Sequence, residues 1–262
     1  MPQTVESAPL SGGIVAVGAE ESPQPGALRL VLDEEALGRG ILVAFTDRDG
    51  GVSKAPFASL NLSGSVGDRP EDVVENRFRV SAAAGVDAAR VRFCRQVHGT
   101  AIRWVDRFDT ASNEPADGMV TSSSGVVLGL LTADCAPIVL VGERRVAVVH
   151  AGWRGLAQGI VDQGVAAVGP VWRAWVGPAI GACCYEVGQD LINAFRARGL
   201  PVGRGCADIR EAARAALLRA GVRRVQVAHT CTSCDRRYFS YRRDGVTGRQ
   251  GTFVSILGRP RS

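Results

Sequence analysis

Three apolar runs follow one another almost without interruption: GVVLGLLTADC (125–135), PIVLVG (137–142) and RRVAVVHAG (144–152). A continuous apolar run, as opposed to an alternating one, marks a buried strand, and the β-branched content of these three fits that reading. The turn around Gly142 and Glu143 joins the second run to the third. Buried strands need cover from other elements, so this stretch alone excludes a purely helical or a disordered chain.

The flanking sequence supplies that cover. LRLVL (28–32) and ILVAFT (41–46) read as strands, followed by a turn-rich loop over 46–68 of the kind that usually carries function. Pro70 with Glu71 and Asp72 in an acidic first turn opens a helix that continues to about residue 84. VRFCRQVHG (91–99) reads as a short strand running into a loop, with AIRWV (101–105) as its partner. Residues 156–168 form a helical pattern, VWRAWVG (171–177) returns to strand, and 186–198 and 208–220 are helical again. VRRVQVAHT (222–230) and QGTFVSIL (250–257) are the late strands. Strands and helices mix without strict βαβ alternation, so the expected fold is a single mixed-sheet α/β domain of α+β character over residues 27–262. Residues 1–26, rich in Pro, Gly, Ser and Glu, read as a flexible leader.

Composition narrows the function classes. The net charge of +5 is modest, and the basic residues, all Arg except Lys54, are scattered and not clustered, so no nucleic-acid surface is expected. No run approaches the roughly 18 apolar residues of a membrane span, and MPQTVESAPLSGG lacks the pattern of a secretory signal. The expected setting is cytoplasmic, where seven cysteines read as free thiols, buried residues or metal ligands. With no sustained heptad, a monomer is expected.

Only three histidines are present, and two of them share a local setting with one cysteine. His98 closes VRFCRQV, Cys135 closes VVLGLL through Thr132-Ala133-Asp134, and His150 closes VAVV. Each stands where a buried strand emerges into a turn, a place from which rigid scaffolds present functional groups. Two imidazoles and a thiolate suit zinc, and three ligands leave a coordination position open, as catalytic sites do. Their separations of 37 and 15 residues match no compact ligand motif, and a His or Cys at a strand end also serves as a satisfied structural residue. His150 is followed by Ala-Gly-Trp-Arg-Gly, in which the glycines allow close backbone approach and Arg154 offers a donor fork for phosphate or carboxylate. A glycine turn with a surface arginine is the competing reading.

The other candidates are weaker. Cys231-Thr-Ser-Cys234 is a single CxxC with no second pair, which argues against a zinc ribbon. Cys183 and Cys184 lie in a Gly-rich turn and read as structural, and His229 ends a strand with a packing role.

At this point the motifs become collectively recognisable. QVHG (96–99), ADGMVT (116–121), TADCAPI (132–138), VHAGWRGL (149–156), VGPAIGACCYEVG (176–188) and FSYRRDGVTGRQ (239–250) resemble the laccase-domain, YfiH-like purine nucleoside phosphorylase family, also described as multicopper polyphenol oxidases and peptidoglycan editing factors. FTDRDGGVS (45–53), SLNL (59–62) and the segment 66–77 extend the resemblance to roughly residues 41–257. It implies a zinc on His98, Cys135 and His150, copper being the less favoured metal, and a mixed-sheet sandwich shared with certain bacterial toxin cysteine hydrolases. It also implies phosphorolysis of adenosine, inosine, guanosine and methylthioadenosine, and deamination of adenosine. Asp47 stands where the family often has Thr, and His229 precedes Cys231 where an acidic residue is more usual.

The chemistry so implied assigns roles. Cys135 and Asp134 are the candidate catalytic residues, Asp134 as a proton shuttle beside the metal ligand. Arg48, Arg154, Arg242 and Arg243 are the candidate clamp for phosphate. A competing class takes Cys135 and His150 as nucleophile and base of a cysteine hydrolase, and a peptidoglycan-precursor editing enzyme would draw on the same residues.

Overall fold

The computed structural model describes residues 14–17, 28–109 and 114–257. Among the described residues, twelve strands run in chain order: β1 (Ile14–Val17), β2 (Leu30–Asp33), β3 (Ile41–Thr46), β4 (Val91–Arg92), β5 (Ile102–Trp104), β6 (Gly118–Thr121), β7 (Val127–Thr132), β8 (Ala136–Gly142), β9 (Val146–Ala151), β10 (Val171–Val176), β11 (Val225–Val227) and β12 (Gln250–Ile256). The helices are α1 (Glu34–Gly38), α2 (Pro70–Ala83), α3 (Trp153–Gln158), α4 (Ile160–Val168), α5 (Gln189–Ala197), α6 (Ile209–Arg219) and α7 (Tyr241–Asp244). Within the span read as a leader, residues 14–17 pair antiparallel with β2, and the other residues of that span lie outside the described residues.

The strands form two six-stranded mixed sheets, ordered β1-β2-β3-β12-β7-β4 and β11-β10-β8-β9-β6-β5. Successive side chains of a strand point to opposite faces, so each central strand serves two layers of core. In β8, where every residue is buried, Ile138 and Leu140 face helices α3 to α6. Val139 and Val141 join Leu128, Leu130, Val254 and Val148 between the sheets. A third cluster, with Leu42, Leu60, Leu62, Val80 and Phe253, covers the outer face of the first sheet. Each fully buried aliphatic side chain contributes roughly 1.5–3 kcal/mol, so these layers are the main source of stability. The continuous apolar runs reflect this double burial.

Local chemistry sets the helix ends. Pro70 begins α2, and Asp208 caps α6 by accepting from the amides of Arg210 and Glu211. The helical pattern expected over 156–168 is in fact two helices, separated at Gly159, whose φ of +93° is open to glycine and strained for other residues. AIRWV does not pair with the strand before it: β4 pairs β7 in the first sheet, whereas β5 pairs β6 in the second. Only Val91 and Arg92 of the run VRFCRQVHG are strand. The rest departs from the sheet, and that departure turns His98 toward the site. No helix among the described residues is long and apolar enough to cross a membrane.

Candidate metal centre

His98, Cys135 and His150 converge from three elements. His98 lies in the loop after β4, Cys135 in the turn between β7 and β8, and His150 in β9, opposite Pro137 of β8. Their ligand atoms lie within 4.8 Å of one another, and the two imidazole rings meet edge to face at 4.8 Å. By strand alternation His150 follows Val146 and Val148 onto the face turned toward the first sheet. The site therefore opens at the end of the layer between the sheets.

Two departures from ordinary backbone geometry make this convergence. His98 has φ +60° and Asp134 has φ +89°, the two non-glycine residues with positive φ among those described. Such conformations persist where surrounding bonds over-determine them. For His98 that surrounding is Asp117, which has no exposed surface. Its carboxylate accepts the backbone N–H groups of Val97 at 3.2 Å, His98 at 2.8 Å and Gly99 at 2.6 Å. It also bonds Nδ1 of His150 at 2.8 Å, so a single buried carboxylate shapes the His98 loop and orients the His150 ring. Burial opposes the charge, yet His150 and these amides hold the Asp117 carboxyl below the usual carboxylate range. Gln96 completes the loop: its side-chain amide donates to the carbonyl of Leu131 at 2.9 Å and accepts the Leu131 N–H at 3.1 Å, standing in for a strand residue beside β7.

Asp134 is fixed in a similar way. Oδ1 accepts from the hydroxyl of Thr232 and Oδ2 from the backbone N–H of Arg242, each at 2.7 Å, while the Asp134 carbonyl accepts from Ile180. Both carboxylate oxygens are thus engaged in tying the Cys135 turn to the loop after β11 and to α7.

Burial alone would push the Cys135 thiol up, but the imidazoles of His150 and His98 beside its sulfur bring it below the ordinary thiol value. His150 is the mirror image. Burial disfavours its charge, whereas the facing thiolate and Asp117 raise it. Two imidazoles and a thiolate held this close form a donor set of the right softness and span for one transition-metal ion. Gly152 supplies the space: a methyl there would stand 2.7 Å from Nδ1 of His98 and 3.2 Å from Sγ of Cys135. Glycine at the position after β9 thus serves the space beside His98 and Cys135 and not the backbone, its φ of −73° being open to any residue.

The arginines divide. Arg154 is exposed on α3 above the ring of Trp153. Arg242 lies over Tyr185, donates to the carbonyl of Glu186, and with Arg154 contributes to the field around that tyrosine, which Cys135 also faces. Arg48 is half committed, donating to the carbonyl of Ala58 and resting on Phe239. Arg243 is fully committed, to the carbonyls of Thr232, Ser233 and Tyr238 and to both oxygens of Asp244. Asp117 and Arg249 escaped the sequence reading. The first is announced by an Asp-Gly pair opening an apolar strand. The second is the Arg of TGRQ, whose charge is felt by Cys135 and Asp134 from a partly buried position. His229 belongs to neither this cluster nor the other group of potential metal ligands in the described residues.

A sandwich of two mixed sheets carrying a His-Cys-His cluster, with a buried aspartate behind it, defines the class of protein. The chain belongs to the family described as multi-copper polyphenol oxidoreductase laccase, whose profile matches residues 42–257. It is 42% identical over 244 residues to a Xylella fastidiosa protein named purine nucleoside phosphorylase, covering 83% of this chain and 93% of that one. It is 37% identical over 247 residues to purine nucleoside phosphorylase YlmD of Geobacillus stearothermophilus, covering 82% and 90%. Among solved structures, Bacillus licheniformis YfiH superposes with a TM-score of 0.80 at 32% identity, covering 88% of this chain and 99% of that chain. Geobacillus stearothermophilus YlmD gives 0.79 at 34% identity, covering 92% and 99%. Family membership and the convergent trio together point to a metal cofactor.

Proposed function

We propose that this chain is a zinc-dependent purine nucleoside phosphorylase, acting on adenosine, inosine, guanosine and methylthioadenosine, with a second capacity to deaminate adenosine. The observation that carries the reading is the His98–Cys135–His150 cluster with its glycine-cleared space at Gly152 and a rim of arginines, in a chain 37–42% identical to proteins named purine nucleoside phosphorylase. His98, Cys135 and His150 would hold the ion. When bound there, zinc would supply Lewis acidity.

The chain's own residues supply the rest. In phosphorolysis a phosphate oxygen bonds to the anomeric carbon of the ribose while the bond from that carbon to the purine nitrogen breaks, and the purine leaves with the electron pair and takes up a proton. The phosphate must be held in line beside the ribose, and positioning of this kind accounts for much of such catalysis. Arg154 is exposed, and Arg242 and Arg249 each commit one guanidinium nitrogen to backbone carbonyls, so these three are the candidate clamp, with Arg48 in support; Arg243 ties α7, which carries Arg242, to the loop after β11. Asp117 orients His150, and Asp134 positions Cys135, its oxygens being engaged by Thr232 and Arg242. The test is a panel of purine nucleosides with and without phosphate, on the wild type and on Cys135→Ala. Phosphate-dependent release of base from inosine, lost in the variant, supports the reading, and release indifferent to phosphate rejects it. Ammonia release from adenosine in the same panel decides the deamination.

One observation favours a second reading. Cys135 facing His150, with His150 oriented by Asp117, is also the order of a cysteine nucleophile, its base and its orienting carboxylate. A Cys/His hydrolase, including one that edits peptidoglycan precursors, needs that thiolate free of metal. Zinc bound at the trio in active protein supports the phosphorylase. Activity of metal-free protein that is abolished by thiol alkylation supports the hydrolase.

A further inference from the structure

A second group of ligands lies outside the trio. Cys183, Cys184, Cys231 and Cys234 bring their four sulfurs within 4.8 Å of one another, although the two pairs are separated by nearly fifty residues of chain. Sγ of Cys234 stands 3.4 Å from that of Cys183 and 3.3 Å from that of Cys184, and all four cysteines are free thiols. One sulfur placed almost equally between two others is poor geometry for a disulfide and good geometry for a shared ion, since ligands about 2.3 Å from a tetrahedral zinc stand under 4 Å apart.

The backbone around the buried member has the matching form. The amide of Gly181 points at Sγ of Cys231 at 3.3 Å, and the amides of Ser233 and Cys234 face the same sulfur. Amide donors converging on the first sulfur of a CxxC turn offset thiolate charge and fix the turn as a metal knuckle. The Cys231 carbonyl accepts from the Asp235 amide, and the Gly181 carbonyl accepts from Cys184 and Tyr185, so both ligand turns are closed by their own backbone bonds. Arg210 lies close enough for its charge to act on Cys231 and Cys183, which suits a divalent ion on four thiolates carrying two net negative charges. The CxxC that lacked a second pair in the sequence finds its partner in the adjacent Cys183–Cys184, a spacing that no familiar motif contains.

We propose that these four cysteines bind a structural metal ion of soft character, zinc foremost, which clamps the loop after β10 to the loop after β11. The clamp bears on the first site through one residue. Thr232, next to Cys231, donates its amide to Ala179 and its hydroxyl to Asp134, the neighbour of Cys135. The second ion thereby holds the far end of the tether that shapes the Cys135 turn.

The test uses full-length Cys135→Ala, in which the trio is disabled, purified under reducing conditions. It is independent of whether the trio holds an ion or what the enzyme acts on. About one zinc per chain by elemental analysis is expected, with an X-ray absorption spectrum showing four sulfur ligands at about 2.3 Å and no nitrogen shell. Cobalt exchanged into the same protein should show the intense visible absorption of a tetrahedral thiolate site. Adding Cys231→Ser should remove the ion or replace one sulfur shell. Cys135→Ala protein that is folded, fully reduced and metal-free, even after incubation with zinc, would overturn the proposal, as would a disulfide from Cys234 to Cys183 or Cys184 in the protein as isolated. Should the double variant fail to fold, the absorption spectrum and the cobalt spectrum of Cys135→Ala decide alone.

Discussion

Replacing Asp117 with Asn keeps the shape of the side chain, removes its charge and turns one acceptor into a donor. The carboxylate is fully buried and receives three backbone amides and the Nδ1 of His150. In either amide orientation one NH2 group is aimed at an existing donor, leaving at least one buried N–H unsatisfied at roughly 1–3 kcal/mol. Charge assistance is also lost from the remaining bonds, which brings the total to about 3–5 kcal/mol. At about 2–4 °C per kcal/mol for a chain approaching this size, melting should fall by on the order of 10 °C. The same change frees the His150 ring and the His98 loop, so metal affinity at the trio should weaken by about 10- to 100-fold. Calorimetry reads the first effect. Chelator competition, taken as the difference between Asp117→Asn and the same variant carrying Cys135→Ala, reads the second. If Asp117→Asn melts within about a degree of wild type and holds its ion equally tightly, the carboxylate does not organise the site.

Gly152→Ala tests the cleared space: its backbone accepts alanine, but the methyl meets His98 and Cys135, so metal affinity measured by chelator competition should fall at least about tenfold with little change in melting. Arg154→Ala should raise the KM for phosphate and leave melting unchanged, whereas Arg243→Ala, which strips donors from several backbone carbonyls, should lower stability by about 2–4 kcal/mol in urea titrations. Asp47 gives a pH signature. Burial pushes its carboxyl up to about 6, from an unperturbed value of 3.8, so the folded state holds its proton more tightly than the unfolded state and loses stability as pH rises between those values. Asp47→Asn should therefore stabilise the protein above pH 6, by up to about 3 kcal/mol, and be neutral below about pH 4. Equal urea midpoints for variant and wild type at pH 8 would refute this.

What the sequence revealed and what it concealed follow one physical line. β3, β7, β8 and β9 are legible because burial on both faces leaves nearly unbroken apolar runs, and β12 is legible from its β-branched and aromatic content. The three members of the trio were visible as the polar ends of such runs. Pairing is not legible: β4 and β5 are too short for pattern to say which sheet each joins, and β6, four residues after a turn, gives too little periodicity to stand out. Asp117 was hidden because a buried carboxylate looks like any turn aspartate until its four donors are known. Arg243 looked like an anion ligand because sequence cannot show that its guanidinium is spent on backbone carbonyls. The four-cysteine cluster was hidden because its two halves meet only through the packing of the loops after β10 and β11.

The trio draws its members from both sheets: His98 follows a strand of one, His150 belongs to the other, and Cys135 sits on the crossover between them. An ion gripped there would act as a spacer, fixing how far apart the two sheets stand at their open end. Thinning the filling between them, at Leu130 or Val148 for instance, would let the sheets settle together and change the bite offered to the ion without touching any ligand. The cost of occupying or vacating the centre is accordingly shared by the whole sandwich, and its grip on metal becomes a gauge of how well the distant interior is packed.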